Sequence, residues 1–117
     1  MSSAVRSDLP KSTGLGLAAV PALLLALGSP DSQAGDLEDY GEYLSSECST
    51  CHRLDAFEGG IPPLGHLPRD YFVIAMKEYR TGQRLNPAMV SVANSLNDEE
   101  IEALAAYYDA LRRGSSD

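Results

Sequence analysis

The chain has 117 residues, with 17 acidic and 9 basic side chains and a formal net charge of −8. This length allows one domain, and the negative charge argues against nucleic acid and anionic membranes as partners. Trp is absent and Phe occurs only twice, so a domain this small buries little apolar surface and is expected to need an internal filler.

The first 34 residues have the pattern of a secretory signal peptide. Two basic residues precede an apolar run over residues 14–27, which is shorter than the roughly 20 residues that span a bilayer. Small residues at Ser32 and Ala34 then fit signal peptidase. We predict a signal peptide over 1–34, a mature domain over 35–117 and export to the periplasm without stable membrane insertion. An uncleaved N-terminal anchor is the alternative.

Three later stretches place apolar residues at helical spacing, namely about 37–47, 71–81 and 98–113. Asp36 and Asp70 are expected to cap the first two helices, and Gly82 is expected to end the second. Asn97 and Glu100 form the pattern of a capping box before the third. No stretch has the alternation of a strand, so the sequence predicts an all-α domain with three main helices.

Two segments between these helices are predicted to be irregular. The loop over residues 53–70 is rich in Gly and Pro, and a loop of this length in so small a domain is unusual unless it wraps something. The segment over 84–96 contains Asn86-Pro87-Ala88-Met89, in which the proline stiffens the approach to the methionine. We expect this segment to fold over a bound group.

The chain's only two cysteines lie in the motif Cys48-Ser49-Thr50-Cys51-His52. Cys-x-x-Cys-His is the attachment site of haem c. The two thiols form thioether bonds with the two vinyl groups, and the two intervening residues match the sulfur separation to the vinyl separation. The adjacent histidine then lies under the iron as the proximal ligand. One covalently bound haem c is therefore the predicted cofactor.

Three other interpretations of the motif are open. A thioredoxin-like redox pair needs a βαβ unit, and no strand pattern is present. A closed zinc site needs four ligands, and His52 and His66 could complete such a set with the two cysteines. A structural disulfide across so small a ring would stabilise the fold little.

An electron-transferring haem usually has a second axial ligand, and Met89 is the best candidate. It lies in the irregular segment that can fold over the other haem face, and a thioether sulfur favours Fe(II) and raises the reduction potential. Met76 falls on a helical stripe with Phe72 and is interpreted as core packing. His66, in the loop rich in Gly and Pro, is the competing ligand. The predicted iron ligands are therefore His52 and Met89.

The sequence resembles the small bacterial class I cytochromes c over nearly all of residues 36–113. The resemblance rests on CSTCH, IPPLGHLPRDYFVIAMKEYRTGQR, NPAM and LNDEEIEALAAYYDAL. Within this family the sequence is most similar to the haem-binding subunit of flavocytochrome c sulfide dehydrogenase and to the single-haem halves of related dihaem cytochromes. The resemblance implies the class I cytochrome c fold, with three main helices and long loops wrapped around one haem.

The resemblance also implies roles for residues outside the motif. Pro62 matches the proline whose carbonyl accepts a hydrogen bond from the proximal histidine, which would determine the tautomer of His52. Leu64 matches a residue that packs on the haem, and Met89 matches the distal ligand. Arg80 and Arg84 match basic positions near the haem edge and are expected to hold a propionate, or else to be solvated side chains.

Gly41 and Tyr107 match the crossing of the first and last helices in the same family, where a glycine lets an aromatic ring approach. One position departs from the family pattern. Related sequences often have a glycine directly after the motif histidine, whereas this chain has Arg53. This residue places a charge near the proximal loop.

The motif and the resemblance together predict periplasmic electron transfer through one haem, with no catalytic group in the chain itself. The protein is expected to be a free carrier or the cytochrome subunit of a sulfide-oxidising flavocytochrome c, with a flavoprotein as redox partner. The alternative is a haem enzyme or gas sensor with an open distal site, which ligation by Met89 would exclude. A third hypothesis is an exported zinc-binding protein without haem.

Overall fold

The computed structural model describes residues 14, 16 and 30–116, and this part of the chain forms four helices. They are α1 (Pro30–Cys48), α2 (Arg69–Arg80), α3 (Pro87–Ser95) and α4 (Asp98–Gly114). No strand occurs within these described residues, and a single isolated bridge joins Glu58 to Ile61. The all-α prediction is confirmed, with one helix more than expected.

The predicted signal peptide falls mostly outside the described residues and stays a prediction. Helix α1 begins at Pro30, before the predicted cleavage site at Ala34, and Asp36 lies within the helix instead of capping it. Proline is well suited to a first helical position because an N–H there would have no helical partner. No helix over residues 30–116 combines the length and apolar character needed to cross a membrane.

The starts of the other helices partly match the prediction. Pro68 precedes α2 without a side-chain cap, and Asp70 lies in the first turn, where the helix dipole favours an acid. The capping box of α4 is confirmed. Asn97 accepts a bond of 2.9 Å from the N–H of Glu100, and the Glu100 carboxylate accepts one of 2.8 Å from the N–H of Asn97.

Helix α3 corrects the prediction that residues 84–96 are irregular. The Asn86 side chain accepts a hydrogen bond of 3.1 Å from the N–H of Met89, and Pro87 occupies the first helical position. Both features are typical of a helix start. With nine residues, the helix is too short for its apolar spacing to be distinct in the sequence.

Helix α4 is central, because it packs against both α1 and α2, and α2 also packs against α3. Its fully buried side chains include Ile101, Leu104 and Tyr108. Gly41 lies at the predicted crossing of α1 and α4. A Cβ atom there would lie 2.8 Å from the Cβ of Tyr107 and closer still to the carbonyl of Ala103, so only glycine permits this approach.

Candidate functional site

The cysteine motif forms a tight turn at the carboxyl end of α1. Cys48 is the last residue of the helix, and its carbonyl accepts hydrogen bonds from the N–H groups of Cys51, at 3.2 Å, and His52, at 2.9 Å. Because one carbonyl receives both bonds, the backbone folds back on itself within five residues. This turn brings the two thiols and the imidazole to the wall of one cavity.

The cavity has a volume of about 400 Å³ and a mostly apolar wall, within the range expected of small-molecule and cofactor sites. All four helices and the loop before α2 contribute to it. Its apolar side chains, besides the cysteines, are Leu44, Ile61, Leu64, Phe72, Met76, Ala88, Met89, Val92, Leu96 and Leu104. Two thiols, one imidazole and thioether sulfurs in an apolar surround are the groups that a c-type haem requires, so the donor set fits this cofactor.

His52 is oriented by the loop that follows the motif. Its Nδ1 lies 2.8 Å from the carbonyl oxygen of Pro62, the contact that the family resemblance implies. A carbonyl can only accept a hydrogen bond, so Nδ1 carries the proton and Nε2 keeps its lone pair for a metal. The geometry therefore selects the tautomer that an axial ligand needs.

The loop that carries Pro62 is itself tied to the residues after the motif. The N–H of Leu64 donates to the carbonyl of Arg53 at 2.9 Å, and the N–H of Gly65 donates to that of Leu54 at 2.7 Å. Pro62 does not line the cavity, whereas Leu64 lies in its wall and is buried. These bonds hold the Pro62 carbonyl beside His52 and the Leu64 side chain in the cavity wall.

Two methionines lie at the cavity, one of which was predicted to be there. Met89 is half-buried on the first turn of α3, and Met76 is 4% exposed in the core, beside Phe72 and Tyr108. The sequence interpretation of Met76 as core packing agrees with its burial. Its place in the cavity wall makes it a second thioether within the site, so the assignment of Met89 as ligand stays a prediction.

Arg84 is held away from the cavity by α2. Its guanidinium pairs with the carboxylate of Glu78 and stacks over the rings of Tyr71 and Tyr79, with its carbon 5.5 and 5.6 Å from their centroids. The carboxylate and the two tyrosines raise the pKa of Arg84 further above its usual range. It does not line the cavity, and its contact with a haem propionate stays a prediction.

Two other sequence candidates also lie away from the cavity. His66, the competing ligand, is exposed and does not line it. Arg80, the other expected propionate partner, donates to the carbonyls of Ala93 and Leu96 and to the carboxylate of Asp98. Within residues 30–116, no three His, Cys, Asp or Glu side chains cluster as a metal site would require.

The environments of the two thiols differ. Cys51 is exposed and Cys48 is half-buried. Burial raises the pKa of the Cys48 thiol, and the neighbouring Tyr108 hydroxyl partly opposes this effect. Burial also raises the pKa of Tyr108, and the neighbouring Cys48 adds to this increase. Both groups are therefore neutral near pH 7.

The sequence predicted that residues 84–96 fold over a bound group, but not which of their side chains line the cavity. Ala88, Val92 and Ser95 of α3 and Leu96 after it lie in the wall, and they were missed individually because the segment was not predicted to be helical. Leu44, Phe72 and Leu104 lie in the three stretches predicted to be helical from their apolar spacing, which was the available signal. Their apolar spacing shows which side of each helix faces inward, but not which of these side chains border a cavity.

No protein-family model matches the chain. The chain is similar to two proteins named thiosulfate dehydrogenase electron acceptor. It is 33% identical to that of Stutzerimonas stutzeri (strain A1501) over 100 residues, which are 81% of this chain and 46% of that protein. It is 30% identical to that of Thiomonas intermedia (strain K12) over 71 residues, which are 58% and 33% of the two proteins. The chain thus spans less than half the length of these relatives.

Proposed function

We propose that this chain is an exported c-type cytochrome that carries one covalently bound haem and transfers single electrons in the periplasm. The observation that carries the proposal is the cavity in which Cys48, Cys51, His52 and Met89 meet. The hydrogen bond between His52 and Pro62 supports it, because it leaves Nε2 free to bind iron. When bound, the haem supplies a one-electron Fe(III)/Fe(II) couple.

Each group of the site has a separate part in this proposal. Cys48 and Cys51 anchor the cofactor covalently, so that it cannot dissociate. His52 and Met89 would hold the iron, and with both ligands bound the iron would have no open position for a substrate. Leu64 and the other apolar side chains exclude water, which limits the reorganisation of solvent around the site when its charge changes. These roles describe a carrier without a catalytic group of its own.

The proposed electron donor is an enzyme that oxidises inorganic sulfur compounds. Both relatives are named as electron acceptors of thiosulfate dehydrogenase, which favours a thiosulfate-oxidising dehydrogenase as donor. The resemblance to flavocytochrome c sulfide dehydrogenase favours a sulfide-oxidising flavoprotein instead. Both donors release electrons that a one-electron carrier can accept, so the two forms of the proposal share the same site.

Covalent attachment is tested by replacing the motif cysteines. In protein matured in the periplasm, C48A or C51A should each weaken attachment, and C48A/C51A should leave all haem extractable by acidified solvent. S49A, within the same motif, is the matched control and should retain covalent haem. Haem that stays bound to C48A/C51A through denaturation would refute the proposal.

The donor is tested with the purified ferric protein. Thiosulfate dehydrogenase with thiosulfate, and a sulfide-oxidising flavoprotein with sulfide, are mixed with it separately, and haem reduction is followed by visible absorption. We expect fast reduction by the first pair. Reduction by the flavoprotein alone would assign the sulfide role, and reduction by neither would leave a different donor class for the same cytochrome.

A further inference from the structure

Arg80 of α2 joins the end of α3 to the start of α4. Its Nη2 donates to the carbonyl of Leu96 at 2.7 Å, its Nε to the carbonyl of Ala93 at 3.4 Å, and its Nη1 to the Asp98 carboxylate at 2.5 Å. The side chain is only 28% exposed, whereas that of Asp98 is 75% exposed. The guanidinium therefore lies mainly among backbone carbonyls at and just beyond the end of α3, and the ion pair is its outer contact.

These bonds satisfy carbonyls that the helix itself leaves without partners. The last four carbonyls of an α-helix have no intrahelical donor, and Ala93 is fully buried, so water cannot readily replace a donor there. A planar guanidinium can donate to several acceptors at once, which an ammonium group cannot do in the same geometry. Arg80 thus serves as a side-chain cap supplied by a neighbouring helix.

The start of α3 is capped, and the segment just before it is tied to α2. The Asn86 side chain caps α3 through the N–H of Met89. The preceding N–H groups of Gln83 and Arg84 both donate to the carbonyl of Glu78, at 2.8 and 3.1 Å. A helix as short as α3 is marginal on its own, so contacts at its two ends decide where its side chains lie.

We propose that Arg80 is a positioning residue for Met89. By holding the carboxyl end of α3 against α2, it keeps the thioether at the cavity that His52 also lines. This inference rests on the proposed ligation of haem by Met89. It assigns Arg80 a task different from the propionate contact that the family resemblance implies.

The test compares ferric holoprotein of the wild type with R80A. The weak charge-transfer band of Met–Fe(III) at the red end of the visible spectrum reports ligation. Cyanide affinity reports the fraction of molecules in which the methionine has left the iron. We expect R80A to lose part of the band and to bind cyanide about tenfold more tightly, which corresponds to about 1.4 kcal/mol. Hydrogen exchange of the α3 amides should quicken relative to those of α4.

R69A is the matched control. Arg69 also lies on α2 and pairs with an acid of α4, Glu102, at 3.1 Å, but this pair does not involve α3. D98N removes the ion pair of Arg80 and leaves its two carbonyl bonds in place. R80K keeps a positive charge but lacks the planar guanidinium group that donates to two carbonyls at once. We expect R80K to resemble R80A, and R69A and D98N to keep the band with a change in cyanide affinity below about threefold.

The outcomes separate this inference from the proposed function. If the wild type shows the band, and R80A and R80K keep it with unchanged cyanide affinity, the positioning role is refuted and the cytochrome proposal stands. Equal effects of R80A, R69A and D98N would show general stabilisation and would also refute it. Absence of the band in the wild type would refute ligation by Met89 and this inference together. If R80A does not fold, R80K against D98N decides the question.

Discussion

At the scale of single residues, the tautomer of His52 is determined by the neighbouring Pro62 carbonyl. A methionine ligand has no comparable hydrogen-bond partner, because its sulfur is only a weak acceptor. The position of its helix must therefore provide the precision that hydrogen bonding provides for the histidine. The motif alone identified the histidine. The methionine is harder to identify, because both Met76 and Met89 line the cavity.

Met89 and Met76 are distinguished by replacing each one. M89A should abolish the Met–Fe(III) charge-transfer band, lower the reduction potential and open the iron to cyanide or carbon monoxide, because it removes a soft ligand that favours Fe(II). M76L nearly conserves side-chain volume and should cost less than about 1.5 kcal/mol of stability with the band intact. Visible spectra, ligand titrations and thermal unfolding measure these effects.

The opposite pattern would contradict the assignment. Loss of the band in M76L, with the band kept in M89A, would move the ligand to the buried methionine of α2. A wild-type protein that binds carbon monoxide without any substitution would instead favour the haem enzyme or gas sensor with an open distal site.

At the scale of elements, the crossing of α1 and α4 depends on close backbone approach. G41A should destabilise the fold by about 1–3 kcal/mol, since its Cβ would overlap the Ala103 carbonyl and the overlap exceeds the gain in helix propensity. G114A, at the exposed end of α4 with no atom near its added methyl, should change stability by less than about 1 kcal/mol. Urea unfolding of both variants measures the difference.

The same crossing positions the motif, because Cys48 ends α1 and Leu104 of α4 lies in the cavity wall. A shift of α1 along α4 would move the two thiols relative to that wall. G41A is therefore also expected to lower the yield of protein with covalent haem. Unchanged stability and yield in G41A would show that the helices can separate without cost, contrary to the packing described above.

At the scale of the whole molecule, the net charge of −8 affects the rate at which the protein associates with a redox partner. A carrier steered by this charge should find a donor with a basic docking surface quickly at low salt. Its electron-transfer rate should fall by about tenfold or more between about 0.01 and about 0.5 M salt, because exposed charges are screened. Stopped-flow reduction by the purified donor measures this rate.

Reduction by an uncharged small reductant is the control and should vary little with salt. A permanent subunit behaves differently, since it buries a larger and more apolar patch. Co-purification with its donor through high salt, together with a rate insensitive to ionic strength, would contradict the free-carrier form of the proposal and favour the subunit form.

The local motifs were predictable because they depend on interactions between residues that are close in the sequence. The Cys-x-x-Cys-His spacing by itself predicts a covalently bound haem. The capping box at Asn97 and Glu100 predicts the start of α4 to within one turn. Apolar spacing correctly located α2 and α4, since both are long enough for a buried face to repeat. The start of α1 was placed too late, at about Leu37, because residues 31–36 are exposed and have no buried face to reveal them.

Only the tertiary structure decided which residues that are distant in sequence contact each other. Arg80, the last residue of α2, and Arg84, four residues beyond it, look equivalent in the sequence as basic residues. In the folded chain, one caps α3 and the other stacks on two tyrosines. The sequence by itself determined which chemical groups are available and which helix faces are apolar. The packing of α2, α3 and α4 decided which groups meet, because a side chain's partners depend on the path of the whole backbone.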